Sequence, residues 1–236
     1  MTDSHIMTVS HKTRLTKNTK APPTKARRER ETLGRRDAIL AAARDVFFEN
    51  GIHRATVDDV AARAEVAKGT VYLYFQSKET LLAHLLLEGL DTLGERLTEA
   101  YAEATPLPAE TRLRRLSAAY LNFFQDDHDY FRLMMAFDRG HFQEAVSAEL
   151  YNQILLRSVK GLRWVVLAVQ QGIDDGHFKV ADAKNSAGMF WAAINGALVL
   201  ISHPLRRELI EQEVETLYNG VMELTIKGMK TGNSRN

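Results

Sequence analysis

The chain of 236 residues is 45% hydrophobic, with 14 glycines and 5 prolines, which indicates an ordinary globular protein with one large domain or two smaller ones. It contains no cysteine, so disulfides and thiolate metal sites are excluded, and a reducing, cytoplasmic location is expected. The longest apolar runs, Leu81–Leu87 and Trp164–Val169, are too short to span a membrane, and the N-terminus lacks the apolar core of a secretion signal.

Positive charge is concentrated at the N-terminus, although the net charge of the whole chain is only +1. Residues 1–36 contain ten Lys or Arg and three Asp or Glu, a balance of +7, which leaves −6 for the remainder. This composition predicts a basic, disordered tail over residues 1–34. Such a tail is either simply solvated or also contacts phosphates or the minor groove of a nucleic acid, and the sequence leaves both possibilities open.

Residues 35–82 predict three short helices and the start of a fourth. Apolar residues recur at helical spacing over 37–50, and Gly51 then supplies a C-terminal stop. Thr56 is a good N-cap for the second helix, and Asp59, three residues later, completes an acidic variant of the capping box. The pattern is that of a helix-turn-helix, whose recognition helix enters the major groove of duplex DNA.

The third helix, predicted over 68–75, has two different faces. Val71 and Phe75 fall on one side, where they should pack against the first two helices. The opposite side has a glycine, which allows a close backbone approach, and hydroxyls, which suit phosphate oxygens and base edges. Leu73 faces away from the core, and our hypothesis is that it contacts a thymine methyl group. With residues from the neighbouring helix starts, the candidate DNA-binding residues are Thr56, Lys68, Gly69, Thr70, Tyr72, Leu73, Tyr74 and Lys78.

Helical patterns continue to the end of the chain, and no strand alternation of useful length interrupts them. Ser77 is the predicted cap of a long fourth helix, and the stretch 105–108, with its two prolines, is the clearest break in the sequence that follows. Beyond this break, the patterns predict helices over 109–126, 128–138, 142–173, 182–202 and 207–229. The predicted fold class is therefore all-α.

The segment from Ile39 to Leu82, and above all its stretch A-K-G-T-V-Y-L-Y-F-Q-S-K-E-T-L-L, resembles the DNA-binding domain of the TetR/AcrR family of transcriptional regulators. The resemblance implies an N-terminal three-helix helix-turn-helix domain over 35–82 and a larger helical ligand-binding and dimerisation domain over 83–236. It also implies a homodimer in which each subunit reads one half of a near-palindromic operator in double-stranded DNA, usually to repress.

The resemblance also assigns roles to individual residues. In the family pattern Thr56 caps the second helix beside a phosphate. Bases and backbone are met by Lys68, Gly69, Thr70 and Tyr72, and phosphates are held by Tyr74 and Lys78. Ala55 departs from the pattern, because many members have a second hydroxyl residue there, and one phosphate contact is expected to be missing.

The helices after residue 83 contain more bulky apolar side chains than a spacer needs, and any one of them can equally belong to the core. The family resemblance implies that some line a cavity for a small molecule, and methionines beside aromatics suit an adaptable, largely apolar ligand. The candidate ligand-binding residues are Tyr120, Phe124, His128, Met134, Phe137, His141, Trp164 and Asn195. The resemblance further implies dimerisation through residues 182–230, although their apolar stripes can also pack within the monomer.

No catalytic, cofactor or metal site is predicted. The acidic run Asp126–Asp129 is better explained as helix caps than as metal ligands, and the sequence offers no nucleophile–base arrangement or phosphate-binding glycine loop. We therefore predict a dimeric regulator, expected to be a repressor that a small, largely apolar ligand releases from its operator. Two alternatives stay open: a ligand-independent DNA-binding regulator or activator, and a helical small-molecule sensor whose DNA module is vestigial.

Overall fold

The structure is a computed structural model that describes residues 25–137 and 144–231, and within these ranges it contains helices and no strand. The predicted all-α fold class is confirmed. The described helices are α1 (Lys25–Asn50), α2 (Val57–Arg63), α3 (Lys68–Tyr74), α4 (Lys78–Tyr101), α5 (Ala109–Asp126), α6 (His128–Phe137), α7 (Ala148–Asp174), α8 (Ala183–Ile201), α9 (Pro204–Ile210) and α10 (Val214–Thr231).

The first helix begins earlier than its apolar pattern predicted. The prediction of a disordered tail is wrong for residues 25–34, which are helical. Arginine and glutamate are good helix formers, and Arg27 Nε donates to Glu31 Oε1, four residues later, at 2.8 Å. The rest of the predicted tail, residues 1–24, lies outside the described residues.

Residues from Ala38 onward form one compact unit, and its first hydrophobic core joins α1, α2 and α3 to the start of α4. Ile39, Val60, Val71 and Phe75 are fully buried in this core. Side chains from α1, α2 and α3 therefore hold the module together, because α2 and α3, with seven residues each, are too short to be stable alone.

Side-chain caps fix where the helices of this module begin. Thr56 Oγ1 accepts from the backbone N–H of Asp59 at 3.2 Å, and Asp59 Oδ2 accepts from the N–H of Thr56 at 2.8 Å, so the predicted capping box is present. Ser77 Oγ accepts from the N–H of Thr80 at 3.1 Å at the start of α4. Glu65, with a left-handed φ of 53°, makes the turn between α2 and α3.

The fourth helix contributes to two hydrophobic cores in succession. Apolar residues of its first half, from Leu81 to Leu90, pack with α1–α3 and with Phe137 of α6 and Ile154 of α7. Apolar residues of its second half, from Leu93 to Tyr101, pack into the core formed with α5, α7, α8 and α10. The packing therefore has no break after residue 82, and α4 connects the module of α1–α3 to the body.

Polar contacts join α10 to α5 across the second core. Tyr218 is fully buried; its hydroxyl donates to the backbone carbonyl of Ser117 at 2.9 Å and accepts from Ser117 Oγ at 3.0 Å. At the surface, Arg114 Nε donates to Glu223 Oε1 at 2.6 Å. The buried phenol is satisfied on both sides, so it fixes the position of α10 without the cost of an unpaired polar group.

The closing helices differ in part from the prediction. Asp182 caps α8 as expected, because its Oδ1 accepts from the N–H of Asn185 at 2.6 Å. The helix predicted over 207–229 is instead two helices, since Glu211 takes a left-handed φ of 50° after α9. Within the described ranges no single helix is long and apolar enough to cross a membrane, whereas α8 and α9 meet that length and composition requirement only as a pair bent by 104°.

Candidate DNA-binding face and effector cavity

The third helix is anchored by one face and exposed on the other. Val71 and Phe75 are buried at 0% exposure, as their spacing predicted. On the outer side Leu73 is 84% exposed and Tyr72 is 43% exposed, whereas Tyr74 is half-buried against the core. Tyr72 and Leu73 are therefore available to a surface that approaches α3, and Tyr74 is available only in part.

The N-terminal end of α3 is open. A Cβ added at Gly69 would meet no heavy atom within 4 Å, so packing does not require glycine at this position. Thr70 beside it is half-buried. Lys68 Nζ lies 2.8 Å from Asp58 Oδ2, and this hydrogen bond raises the pKa of Lys68. A phosphate must therefore compete with Asp58 for the lysine.

Lys78 does not occupy the exposed position expected for a phosphate contact. Its Nζ donates to the backbone carbonyls of Ala55 at 2.6 Å and His53 at 3.4 Å, and it lies 5.7 Å from the ring centroid of Phe47. Burial lowers its pKa. The ammonium group therefore braces the loop before α2, a role that sequence spacing cannot distinguish from an outward-facing lysine.

The loop before α2 contains one exposed cation that the sequence interpretation missed. Thr56 is itself exposed, but its hydroxyl donates to Asp59 Oδ2 at 2.7 Å, which lowers the pKa of Asp59. Arg54, two residues earlier, is exposed and forms no hydrogen bond or ion pair with the described residues. The sequence does contain a signal for Arg54: it is a basic residue just before the helix cap Thr56, and anionic groups bind near helix N-termini.

A cavity of about 280 Å³ lies in the body, with walls from α4, α5, α6, α7 and α8. Four of the predicted ligand-binding residues line it: Tyr120, Met134, Phe137 and Asn195. The cavity is also lined by residues not singled out from the sequence, which include Leu86, Leu90, Gly94, Met135, Arg157, Gly161 and Trp191. The wall is therefore largely apolar, with a small number of polar groups, as is usual for small-molecule sites.

The remaining predicted ligand residues lie elsewhere. Trp164 Nε1 donates to Thr98 Oγ1 at 3.2 Å, and its ring packs against Tyr101 at a centroid distance of 4.6 Å. Phe124 is buried in the core, with His128 edge-on at 5.3 Å. These three predictions do not match the cavity, because a helical pattern shows that a residue is apolar or inward but not which space it faces. His141 lies outside the described residues.

Two polar features border the cavity. The Tyr120 hydroxyl donates to Asn195 Oδ1 at 2.7 Å, and Trp191 packs against the Tyr120 ring at 4.4 Å. Arg157 Nε donates to Asp91 Oδ1 at 2.8 Å, and both line an adjoining surface cleft that shares Arg157 with the cavity. Trp191 and Asn195 are four residues apart on α8, a spacing from which the tryptophan could have been predicted.

The acidic run at the start of α6 is neutralised by an arginine. Arg96 NH1 lies 2.8 Å from Asp126 Oδ2, and its NH2 lies 2.5 Å from Asp127 Oδ2. Among the described residues no group of three or more His, Asp or Glu side chains is arranged to hold a metal ion.

Comparison with known proteins finds similarity to bacterial transcriptional regulators. Residues 39–85 match the model of bacterial regulatory proteins of the tetR family. A fatty acid metabolism regulator protein of Bacillus subtilis is 35% identical over 91 residues, which cover 39% of this chain and 46% of that protein. The transcriptional activator FasR of Mycolicibacterium smegmatis is 34% identical over 104 residues, 44% of this chain and 47% of that protein. The chain thus matches about half the length of these curated relatives.

A solved structure extends the likeness to the body. The transcriptional regulator FadR of Bacillus subtilis, in complex with stearoyl-CoA, is 26% identical, with a TM-score of 0.60 over 81% of this chain and 98% of that one. These relatives are regulators of transcription and not enzymes. Residues 39–85 are thus a helix-turn-helix of the tetR family of bacterial regulatory proteins, and the helical body that follows shares the fold of the regulator FadR.

Proposed function

We propose that the protein is a dimeric regulator that places α3 in the major groove of each half of an operator. The observation that carries the proposal is the outer face of α3, where Gly69 has open space beside it and Tyr72 and Leu73 are exposed while Val71 anchors the helix. A glycine that packing does not require permits the backbone to come close to DNA, and an exposed leucine suits a thymine methyl.

Selection of bound duplexes from a genomic fragment library, followed by titration of the selected fragment, tests this proposal. We expect a salt-dependent preference for a near-palindrome, with half-sites about 34–36 Å apart or a multiple of that spacing. Lys68→Ala with Tyr72→Ala should abolish the preference while the fold, measured by circular dichroism, is kept. Equal affinity of wild type and double variant for the fragment would overturn the proposal.

Dimerisation is proposed through the outward side of α8 and α10. One apolar stripe of α8, which includes Phe190 and Ile194, is buried within the protomer. A second stripe on α8 faces outward at helical spacing, formed by Met189, Ala192, Gly196 and Leu200. With Leu224 of α10, which is 71% exposed, this stripe supplies the apolar face that a four-helix interface needs.

The effector is proposed to be a molecule with an apolar chain and an anionic head. The cavity wall is largely apolar, which suits an alkyl chain. Arg157 and Lys160 border the adjoining cleft together with Asp91, Glu95 and Glu99. A carboxylate or phosphate head must therefore take Arg157 from Asp91, with which it is paired. The stearoyl-CoA bound by the FadR relative has this chemistry. The cavity of about 280 Å³ lies near the lower end of the roughly 300–1,000 Å³ usual for ligand sites, so shorter acyl chains should fit at least as well.

A tryptophan titration tests the effector class. The chain has two tryptophans, and Trp164→Phe leaves Trp191 of the cavity wall as the single reporter. We expect its fluorescence to change on addition of acyl-CoA thioesters, with affinity that rises with chain length until the cavity is filled. Arg157→Ala should weaken this binding. A response to coenzyme A alone, or none to any acyl chain, would exclude the proposed class.

The regulatory step is proposed to be a population shift. Ligand that fills the cavity favours a different position of α4, whose first half belongs to the core of the DNA-binding module, so the two α3 helices lose the operator spacing. The protein then acts as a repressor that its effector releases. Linkage requires operator DNA to weaken effector binding by the same factor as effector weakens DNA binding, and titrations without this reciprocity would contradict the mechanism.

In a second candidate function the protein binds the operator in the same way but activates transcription. FasR, one of the relatives, is a transcriptional activator, so activation with or without a ligand is the alternative. A reporter gene behind the selected operator distinguishes the two, because a repressor lowers its expression and an activator raises it. In both cases the partner is chromosomal DNA, and we infer a cytoplasmic location.

A further inference from the structure

Three helices meet at one carboxylate between the DNA-binding module and the body. Glu88 of α4 accepts with Oε2 from Arg44 of α1, whose Nε and NH2 lie at 3.1 and 2.7 Å. The same oxygen accepts from the hydroxyl of Tyr130 of α6 at 3.2 Å. A single side-chain oxygen therefore links a helix of the module, the connecting helix and a helix of the cavity wall.

The ring of Tyr130 is fitted closely into this junction. A Cβ added at Gly89, next to Glu88, would lie 2.8–2.9 Å from the Cβ, Cγ and Cδ1 atoms of Tyr130. On its other side the ring meets Phe48 of α1 edge to face, with centroids 5.1 Å apart. Glycine is thus required at position 89 for α6 to approach α4, and any shift of α6 must be transmitted to α1.

The charges of the junction reinforce its geometry. The hydrogen bond with Glu88 raises the pKa of Arg44, and burial raises the pKa of the Tyr130 phenol. Arg44 therefore stays charged and the Tyr130 phenol stays a neutral donor across the physiological pH range. This arrangement keeps all three hydrogen bonds to Glu88 intact unless the helices themselves move.

The junction is one helical turn from the effector cavity. Met134, which lines the cavity, follows Tyr130 by four residues on α6 and so lies on the same face. On α4, Leu86 and Leu90 of the cavity wall are two residues from Glu88 in sequence and lie on a different face of the same helix. A ligand that displaces the Met134 side of α6 must therefore move Tyr130 relative to Glu88.

We propose that Tyr130 is the positioning residue through which the effector cavity sets the orientation of the DNA-binding module. With the cavity empty, its hydroxyl and ring hold Glu88, Arg44 and Phe48 together in the arrangement that binds operator. Ligand separates α6 from this junction and lets α1 move with α2 and α3. The inference rests on the proposed function, because it supposes that the protein binds both an operator and an effector.

Tyr130→Phe removes the hydroxyl and keeps the ring on Gly89 and Phe48. If the hydroxyl stabilises the DNA-binding arrangement, its loss shifts the population toward the effector-binding state. We expect affinity for stearoyl-CoA to rise about three- to tenfold, as for the loss of one hydrogen bond, and operator affinity to stay equal or fall. Tyr151→Phe, on a half-buried tyrosine of the same core, is the matched control and should change neither affinity.

A rise in effector affinity without a rise in operator affinity separates a positioning role of Tyr130 from a purely structural one. A residue that only stabilises the fold would, when replaced, weaken both effector and operator binding. Either that result, or a Tyr130→Phe protein that behaves like Tyr151→Phe in both titrations, would overturn the inference.

Gly89→Ala tests the junction without any effector. The added methyl group must push Tyr130 away from α4, so we expect operator affinity to fall at least tenfold while circular dichroism and dimer mass are unchanged. Operator binding equal to wild type would refute the role of the junction, whereas a wild-type protein with no operator preference would refute the proposed function itself. If Gly89→Ala does not fold, the Tyr130→Phe titration against operator and stearoyl-CoA decides.

Discussion

At position 69 the protein has the residue that least favours a helix after proline, at a site where a Cβ atom would have room. Glycine costs about 0.5–1 kcal/mol relative to alanine inside a helix, and a Cβ at this position would meet nothing within 4 Å. Stability therefore does not explain the glycine. A close approach of the α3 backbone to DNA would explain it.

Gly69→Ala is expected to separate binding from stability. Its free energy of unfolding in urea should be unchanged or higher by up to about 1 kcal/mol, whereas operator affinity, measured by fluorescence anisotropy, should fall at least tenfold because the methyl group blocks the backbone approach. Gly188→Ala on α8, where a Cβ also has open space, is the control and should bind normally. Normal binding by Gly69→Ala would remove the main support for the α3 interface.

The two lysines that flank α3 are expected to respond differently to the same substitution. Lys68→Ala breaks only an exposed pair with Asp58, so stability should change little, while the slope of log affinity against log salt should decrease by about 1. Lys78→Ala removes the donor to the Ala55 carbonyl and should cost about 1–2 kcal/mol of stability in urea denaturation. If Lys78→Ala instead reduced the salt dependence and left stability unchanged, Lys78 would be assigned to the DNA contact.

At the scale of helices, local signals in the sequence predicted most boundaries. The caps at Thr56, Ser77 and Asp182 begin helices where expected, because a side-chain oxygen that accepts a first-turn N–H is a local interaction. The range predicted for α5, 109–126, is the one observed.

Failures occurred where local signals were weak or where the answer depends on other helices. The start of α1 at Lys25 lies in a basic stretch without an apolar pattern to mark it, and the break at Glu211 uses a left-handed glutamate in place of the usual glycine. Four of the eight predicted ligand-binding residues line the cavity. Trp191 was missed and Trp164 was chosen, because the sequence does not show what the tertiary packing brings beside each tryptophan.

The outward stripe of α8 leads to a prediction about assembly. Ala192→Glu places a charge in the centre of the stripe, which would be buried without a partner in a dimer. We expect this variant to be monomeric in light scattering and to bind operator at least tenfold more weakly. Lys184→Glu, an exposed change off the stripe, should remain dimeric. If Ala192→Glu is still a dimer, the interface lies on another face.

For the whole molecule, carboxylates that join α10 to α5 set a dependence of stability on pH. Hydrogen bonds from Lys230 and Arg114 respectively lower the pKa values of Glu110 and Glu223 below their ordinary 4.5. A lowered folded-state pKa adds stability that is present above pH 4.5 and lost as pH falls through the folded value.

Arg114→Gln should remove part of this stabilisation at neutral pH only. We expect its Tm at pH 7 to be about 2–4 °C below that of wild type, as for a loss of about 1 kcal/mol. The difference should shrink as the pH falls through the lowered folded-state pKa values, because a protonated glutamate no longer pairs with Arg114. Arg163→Gln, which replaces an exposed arginine that forms no ion pair with the described residues, should match wild type at each pH. A Tm difference that persists in acid would assign the effect to packing of the Arg114 side chain.

Because α4 is shared between two cores, we expect residues 38–82 alone to be unstable. A fragment that stops at residue 82 would leave the core without Leu85, Leu86 and Leu90, all buried in the whole protein. Chimaeras that graft a new DNA specificity onto this effector domain therefore need a crossover between Leu90 and Leu93, where one core gives way to the other.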